Sequence, residues 1–161
     1  MDMNIFFLAL LLIHFLFLGL HDWVPLGRWT DLPALRSQRS LRARIIASVI
    51  MAGIQGIALY LNWSQSPAPS YGTRLFTLIL YLLYIPGILR AWWLPYLFGV
   101  GLSDKYIADY KIMFGNTYSW FPERNGITVN ALHTVFHLSV VVELILAAIR
   151  FWHTVPMSMP T

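Results

Sequence analysis

Four apolar stretches, at about residues 4–20, 45–62, 74–94 and 130–150, dominate this chain of 161 residues. Each approaches the ~20 residues that an α-helix needs to cross ~30 Å of hydrocarbon. The first two are slightly short, which tilt or local thinning of a bilayer accommodates. In water such helices would expose apolar side chains on every side. In lipid they satisfy their own backbone groups and match their solvent. Charged residues make up only 11% of the chain, against about 25% in a soluble domain. The expected fold is an all-α integral membrane protein in which residues 1–161 form one transmembrane domain, a four-transmembrane-helix bundle.

The first stretch follows Met1-Asp2-Met3-Asn4 and precedes His21-Asp22-Trp23. An acid stands where a secretory signal is basic, and no small-residue cleavage site follows, so a retained helix is expected. The absence of cysteine excludes disulfides and thiolate nucleophiles or metal ligands, and leaves the redox compartment open.

Orientation follows from the basic residues. Arg28, Arg36, Arg39, Arg42 and Arg44 lie in the first connection, and Arg90, Lys105, Lys111 and Arg124 in or beside the third, so these connections hold nine of the eleven. The positive-inside bias places connections 21–44 and 95–129 in the cytoplasm and both termini on the other side of a plasma or inner membrane. Because these charges sit between apolar stretches, the net charge of +4 points to a membrane surface and not to nucleic acid. Arg36, Arg39 and Arg42 recur every three residues; they serve as ordinary topogenic charge or line one helix face over anionic lipid headgroups.

The third connection carries the most local structure. Ser103 is suited to cap a helix from Asp104 to Phe114, with Gly115 closing it. Ile107, Tyr110 and Phe114 then share a face opposite Asp104, Lys105 and Lys111, an amphipathic pattern suited to an interface. Glu123, Arg124 and Asn125 follow in a turn-forming segment, and the whole connection is expected to form a packed cap. In span two, Ser48, Ala52 and Gly56 recur every four residues, a spacing that lets helix backbones approach closely. Pro86-Gly87 predicts a kink in span three.

Ionisable residues inside spans are costly and usually face a bundle interior or a wet cavity. Here they are His14, Arg90, His133, His137 and Glu143, with His21 and Asp22 closing span one. With a rise of about 1.5 Å per residue, His14 and His137 each lie roughly 10 Å from the cytoplasmic boundary. His133 is one turn below His137 on the same face, and Arg90 enters that layer beside Trp92 and Trp93. A ligand pocket formed by His14, His21, Asp22, Arg90, His133 and His137 is therefore expected under the cap. Glu143 is separate, about 20 Å from the cytoplasmic face, with Gln55 or a tyrosine as its expected partner in the outer half.

Three chemistries suit such a pocket. Imidazoles at His14, His133 and His137 could ligate a metal or haem, although the His-x-x-x-His spacing lacks the adjacent glutamate of the zinc-protease pattern. A His–Asp pair with Arg90 could move protons on a lipid-soluble substrate. The favoured reading is binding of a small hydrophobic or amphiphilic molecule, with chemical conversion and any cofactor left open. The alternative from another class is an accessory or structural subunit of a larger membrane complex, with no ligand of its own. No motif assigns the chain to a family.

Overall fold

The computed structural model describes residues 3–153, so both termini proper lie outside the described residues. The elements are α1 (Met3–Leu20), a 3-10 turn (Gly27–Trp29), α2 (Leu32–Gln38), α3 (Leu41–Ser64), α4 (Tyr71–Ile88), a π-helical turn (Leu89–Trp93), α5 (Leu94–Phe98), α6 (Asp104–Phe114) and α7 (Ala131–His153). Extended pairing among the described residues consists of two isolated bridges, Ser119 with Asn130 and Arg124 with Ile127. Four helical runs are long and apolar enough to cross a membrane: Met3–Leu20, Leu41–Ser64, Tyr71–Phe98 and Ala131–His153. All four expected stretches are present as helical runs, the second and third lengthened most and the first by a single residue.

Side-chain caps set most of the boundaries. Ser40 Oγ accepts from the Ala43 amide, Ser70 Oγ from Thr73 and Ser103 Oγ from Tyr106, each closing an otherwise unpaired amide at a helix start. The short α2 was not expected. Asp31 caps it through the Ala34 amide and Pro33 stands in its first turn, where a missing N–H costs nothing.

The Ser48–Ala52–Gly56 stripe faces α1. Trp23 Nε1 donates to Ser48 Oγ at 2.9 Å. A Cβ on Gly19 would meet Ala52 Cβ at 3.5 Å, and one on Gly56 would meet the Phe15 ring at 3.1 Å. The small residues thus seat α1 on α3 within the chain. Phe7, Leu11, Ala58, Leu80, Tyr81, Val140 and Ala147 join α1, α3, α4 and α7 in one core. The outward faces remain apolar and exposed, with Ile13, Val49, Leu83 and Val142 among them.

Pro86 does not end its helix. The run continues into the π-helical turn, where the Leu94 amide reaches back five residues to the Leu89 carbonyl. Such a turn inserts one residue and shifts the phase of every side chain beyond it. It brings Trp92 against His133 and Trp93 beside Tyr96 and Phe121.

The third connection folds back as a packed cap. The helix expected from Asp104 to Phe114 is α6, with Ser103 at its start and Gly115 at its end. Gly115 has a right-handed backbone, and a Cβ there would sit 2.5 Å from the Lys111 carbonyl, so close approach, not a left-handed cap, requires glycine. The apolar face of α6 packs on protein: Tyr110 is buried with Tyr96, Ile127 and Val129, and Ile107 and Phe114 lean on that cluster. Protein covers this face, a choice the amphipathic pattern by itself leaves open. Asn125-Gly126, both left-handed, form a tight turn closed by paired backbone bonds between Arg124 and Ile127.

Candidate functional site

Two polar regions occupy the interior of the four long helices, and they are built differently. At mid-height, His14 is fully buried and bonded at both ring nitrogens, to Tyr81 Oη at 2.6 Å and Ser139 Oγ at 2.8 Å. Ser139 Oγ donates to the Phe136 carbonyl, so it accepts from His14 Nε2–H, and Nδ1 accepts from the Tyr81 hydroxyl. Tyr81 in turn accepts from Gln55 Nε2 at 2.9 Å; Gln55 also donates to the Leu11 carbonyl and accepts from Tyr84. The bonds run in one consistent direction through α1, α3, α4 and α7. Each nitrogen of the imidazole has its partner, as a structural knot requires.

The second region lies at the end covered by α6. His21 Nδ1 donates to the Phe17 carbonyl at 2.8 Å, and Nε2 faces Asp22 Oδ1 at 3.1 Å. Asp22, only 4% exposed, also meets Arg39 at 3.9 Å. The arginine pairing is long and half-exposed, so orientation of Asp22 falls mainly to His21. Arg44 is buried, its guanidinium over the Trp23 ring and donating to the Asp22 carbonyl.

Around these residues lie two cavities. A chamber of about 140 Å³ is lined by His21, Asp22, Asp31, Arg39, Asn130 and His133, with Trp29, Trp92 and Phe114 as apolar walls. A groove of about 300 Å³ is lined by Phe17, Met51, Leu83, Ile88, Phe136 and His137. His21, Trp92 and His133 line both, so a polar chamber and a largely apolar groove share a wall. That wall is stacked: Trp92 lies on His133 at 4.3 Å, and Phe17 on His21 at 4.6 Å. His137, 5% exposed, has no hydrogen-bond partner at either ring nitrogen among the described residues, and its Nδ1 is fully buried. Leaving such a group unpaired costs about 1–3 kcal/mol.

Of the residues expected to form one pocket, the structure brings together His21, Asp22, His133 and His137 and leaves two outside. His14 lies level with His137, against Phe136 and Ser139 of α7, but Phe136 touches both His14 and His137 and neither cavity includes His14. Arg90 is exposed and lines a lateral cleft of about 730 Å³ with Tyr106 and Asp109, which adjoins the chamber at Arg39, Trp92, Met113 and Phe114. Arg39, grouped in the sequence with Arg36 and Arg42, reaches the chamber in its place.

Glu123, Arg124 and Asn125 belong to the cap but line none of these spaces. Glu123 pairs with Lys111, and Asn125 Nδ2 donates to the Tyr96 carbonyl. The cover over the chamber comes from Phe114, Met113 and Thr117. Beside them Tyr110 donates to the Thr128 carbonyl, and burial raises its phenol above the ordinary value.

Sequence reasoning missed Asn130, the residue before α7. Its Oδ1 accepts from the His133 amide at 3.2 Å, and its Nδ2 donates to the Trp29 carbonyl at 3.1 Å. An asparagine three residues before His133 at a helix start was the available signal. In the other half, Glu143 is fully buried with neither carboxyl oxygen hydrogen-bonded among the described residues, and Gln55, one of its expected partners, belongs to the His14 network. Among the described residues no three of the His, Asp and Glu side chains converge closely enough to hold a metal ion.

The chain matches no protein-family model, and comparisons with curated proteins and with solved structures likewise found no match.

Proposed function

We propose that this chain is a four-span integral membrane protein that binds a small hydrophobic or amphiphilic molecule in the groove, its polar part against His133 and His137 beside the chamber and its apolar part along the rest of the groove. The observation that carries this reading is His137, a buried imidazole on the wall of an apolar groove with no hydrogen-bond partner among the described residues. A satisfied interior has no such group, and a ligand would supply a bond at Nε2, the nitrogen that is not fully enclosed. The stacked wall of Trp92, His133, Phe17 and His21 offers flat, rigid contact surface at small entropic cost, as ligand sites commonly do. Four apolar helical runs with exposed outward faces support membrane residence.

The cap end faces the cytoplasm in this reading, because the basic residues of the first and third connections gather there. Arg36 and Arg42, both exposed, would meet anionic headgroups at that surface.

Two experiments test the parts separately. The chain has no cysteine, so single cysteines report orientation without background. In right-side-out vesicles an impermeant maleimide should label Ala68→Cys directly and Ser37→Cys only after permeabilisation; the opposite pattern overturns the orientation. For binding, native mass spectrometry of protein purified in mild detergent should show a retained amphiphile. Gly87 lines the groove and a Cβ there meets nothing within 4 Å, so Gly87→Phe should fill the groove without disturbing the fold and release the adduct. An adduct retained at wild-type level by a folded Gly87→Phe protein overturns the site.

A further inference from the structure

The hydrogen-bonding pattern of the two α7 imidazoles restricts which headgroup fits. Asn130 has a fixed amide orientation, because the His133 backbone N–H needs an acceptor and the Trp29 carbonyl needs a donor. Its Oδ1 therefore faces His133 Nδ1, 3.3 Å away, and that nitrogen carries the hydrogen. In the neutral ring Nε2 is then a bare lone pair with no partner among the described residues. One turn further, at a ring-centroid distance of 6.2 Å, His137 has no hydrogen-bond partner among the described residues; its Nδ1 is enclosed, so Nε2 is the nitrogen a ligand can reach, as N–H or as lone pair according to the tautomer. The wall thus asks for a group that donates to His133 and also bonds His137, and a group with a single hydrogen must accept there. One oxygen at about 2.8 Å from a nitrogen of each ring spans such a gap.

Resting on the ligand-binding reading above, we infer that the occupant is an uncharged amphiphile with a hydroxyl headgroup: an alcohol or phenol carried on an apolar body. Its O–H donates to His133 Nε2 and its oxygen accepts from His137. Other headgroups fail on one count or another. A carboxylate or an ether has no hydrogen to give His133. An ammonium would bring a charge to a groove whose nearby carboxylate, Asp22, is already held by His21 and Arg39. Burying an uncompensated charge is far costlier than burying a hydroxyl that makes both its bonds. The groove supplies apolar contact through Phe17, Met51, Leu83 and Phe136.

The test compares dodecan-1-ol, its methyl ether, dodecanoate and dodecylamine, with affinities for the purified protein read by native mass spectrometry. The donation to His133 that neither the ether nor the acid can make, and the charge that the acid and the amine would bury, predict about tenfold tighter binding of the alcohol than of any of the others. His133→Phe should bring the alcohol down to the affinity of the ether and leave the ether unchanged. A preference for the alcohol below about threefold, or tighter binding of the acid or the amine, overturns the hydroxyl assignment while keeping the site. Failure of all four to bind overturns the ligand-binding reading as well. Should His133→Phe not fold, the comparison of alcohol with ether on the wild-type protein decides by itself.

Discussion

The His14 network and the His133–His137 wall place the same side chain in the same helical framework and treat it in opposite ways. His14 has each nitrogen bonded to a hydroxyl, and those hydroxyls are bonded in turn. His137 is buried almost as deeply, and its nitrogens have no hydrogen-bond partner among the described residues. The first arrangement ties four helices together. The second leaves a cost unanswered beside an open groove. Burial of a histidine is therefore a poor guide to its role; what its nitrogens touch is the better one.

Substitutions should separate the two regions by sign. His14→Leu removes two bonds and leaves the Tyr81 O–H without an acceptor, while Ser139 keeps its bond to the Phe136 carbonyl. Interhelical hydrogen bonds in lipid average only about 0.6 kcal/mol, but each group left unpaired adds its own penalty. A loss of about 2 kcal/mol in denaturant-unfolding stability is expected. An unchanged or raised stability would show that the network holds nothing together. His137→Phe should act in the other direction and more weakly. It replaces an unpaired polar ring with an apolar one of similar size, for a gain of about 1 kcal/mol in ligand-free protein. The same variant should lose the retained amphiphile. Greater stability with full ligand retention would break the contrast between the regions.

Much of the architecture was legible beforehand because it depends on solvent and on local chemistry. Apolar runs of membrane-crossing length became four long helices, and Ser103 with Gly115 bounded α6 at the expected residues. The small residues of α3 met α1. The site was legible only in part. Counting residues from a helix end gave the height of His14, close to that of His137, and the structure agrees through its contacts with Phe136 and Ser139. Height is only one coordinate, however. Rotation about the helix axis turned His14 toward Tyr81 and put Phe136 in contact with both rings. Arg90 failed for a related reason: past Pro86 the π-helical turn alters the phase, so Trp92 meets His133 and Arg90 faces outward.

From the residues alone came the helix count, the cap of α6, the clustering of basic charge at one end and the presence of polar groups where they are costly. These depend on short-range rules: hydropathy over one helix length, side-chain caps and charge between spans. The separation of a satisfied network from an unsatisfied wall came from packing. It was set by helix rotation, by one inserted residue in α4, and by the reach of Asn130 and Arg39 from segments far apart in the chain. Pairing across helices depends on azimuth and distance, and neither is written in the spacing of residues along any one helix.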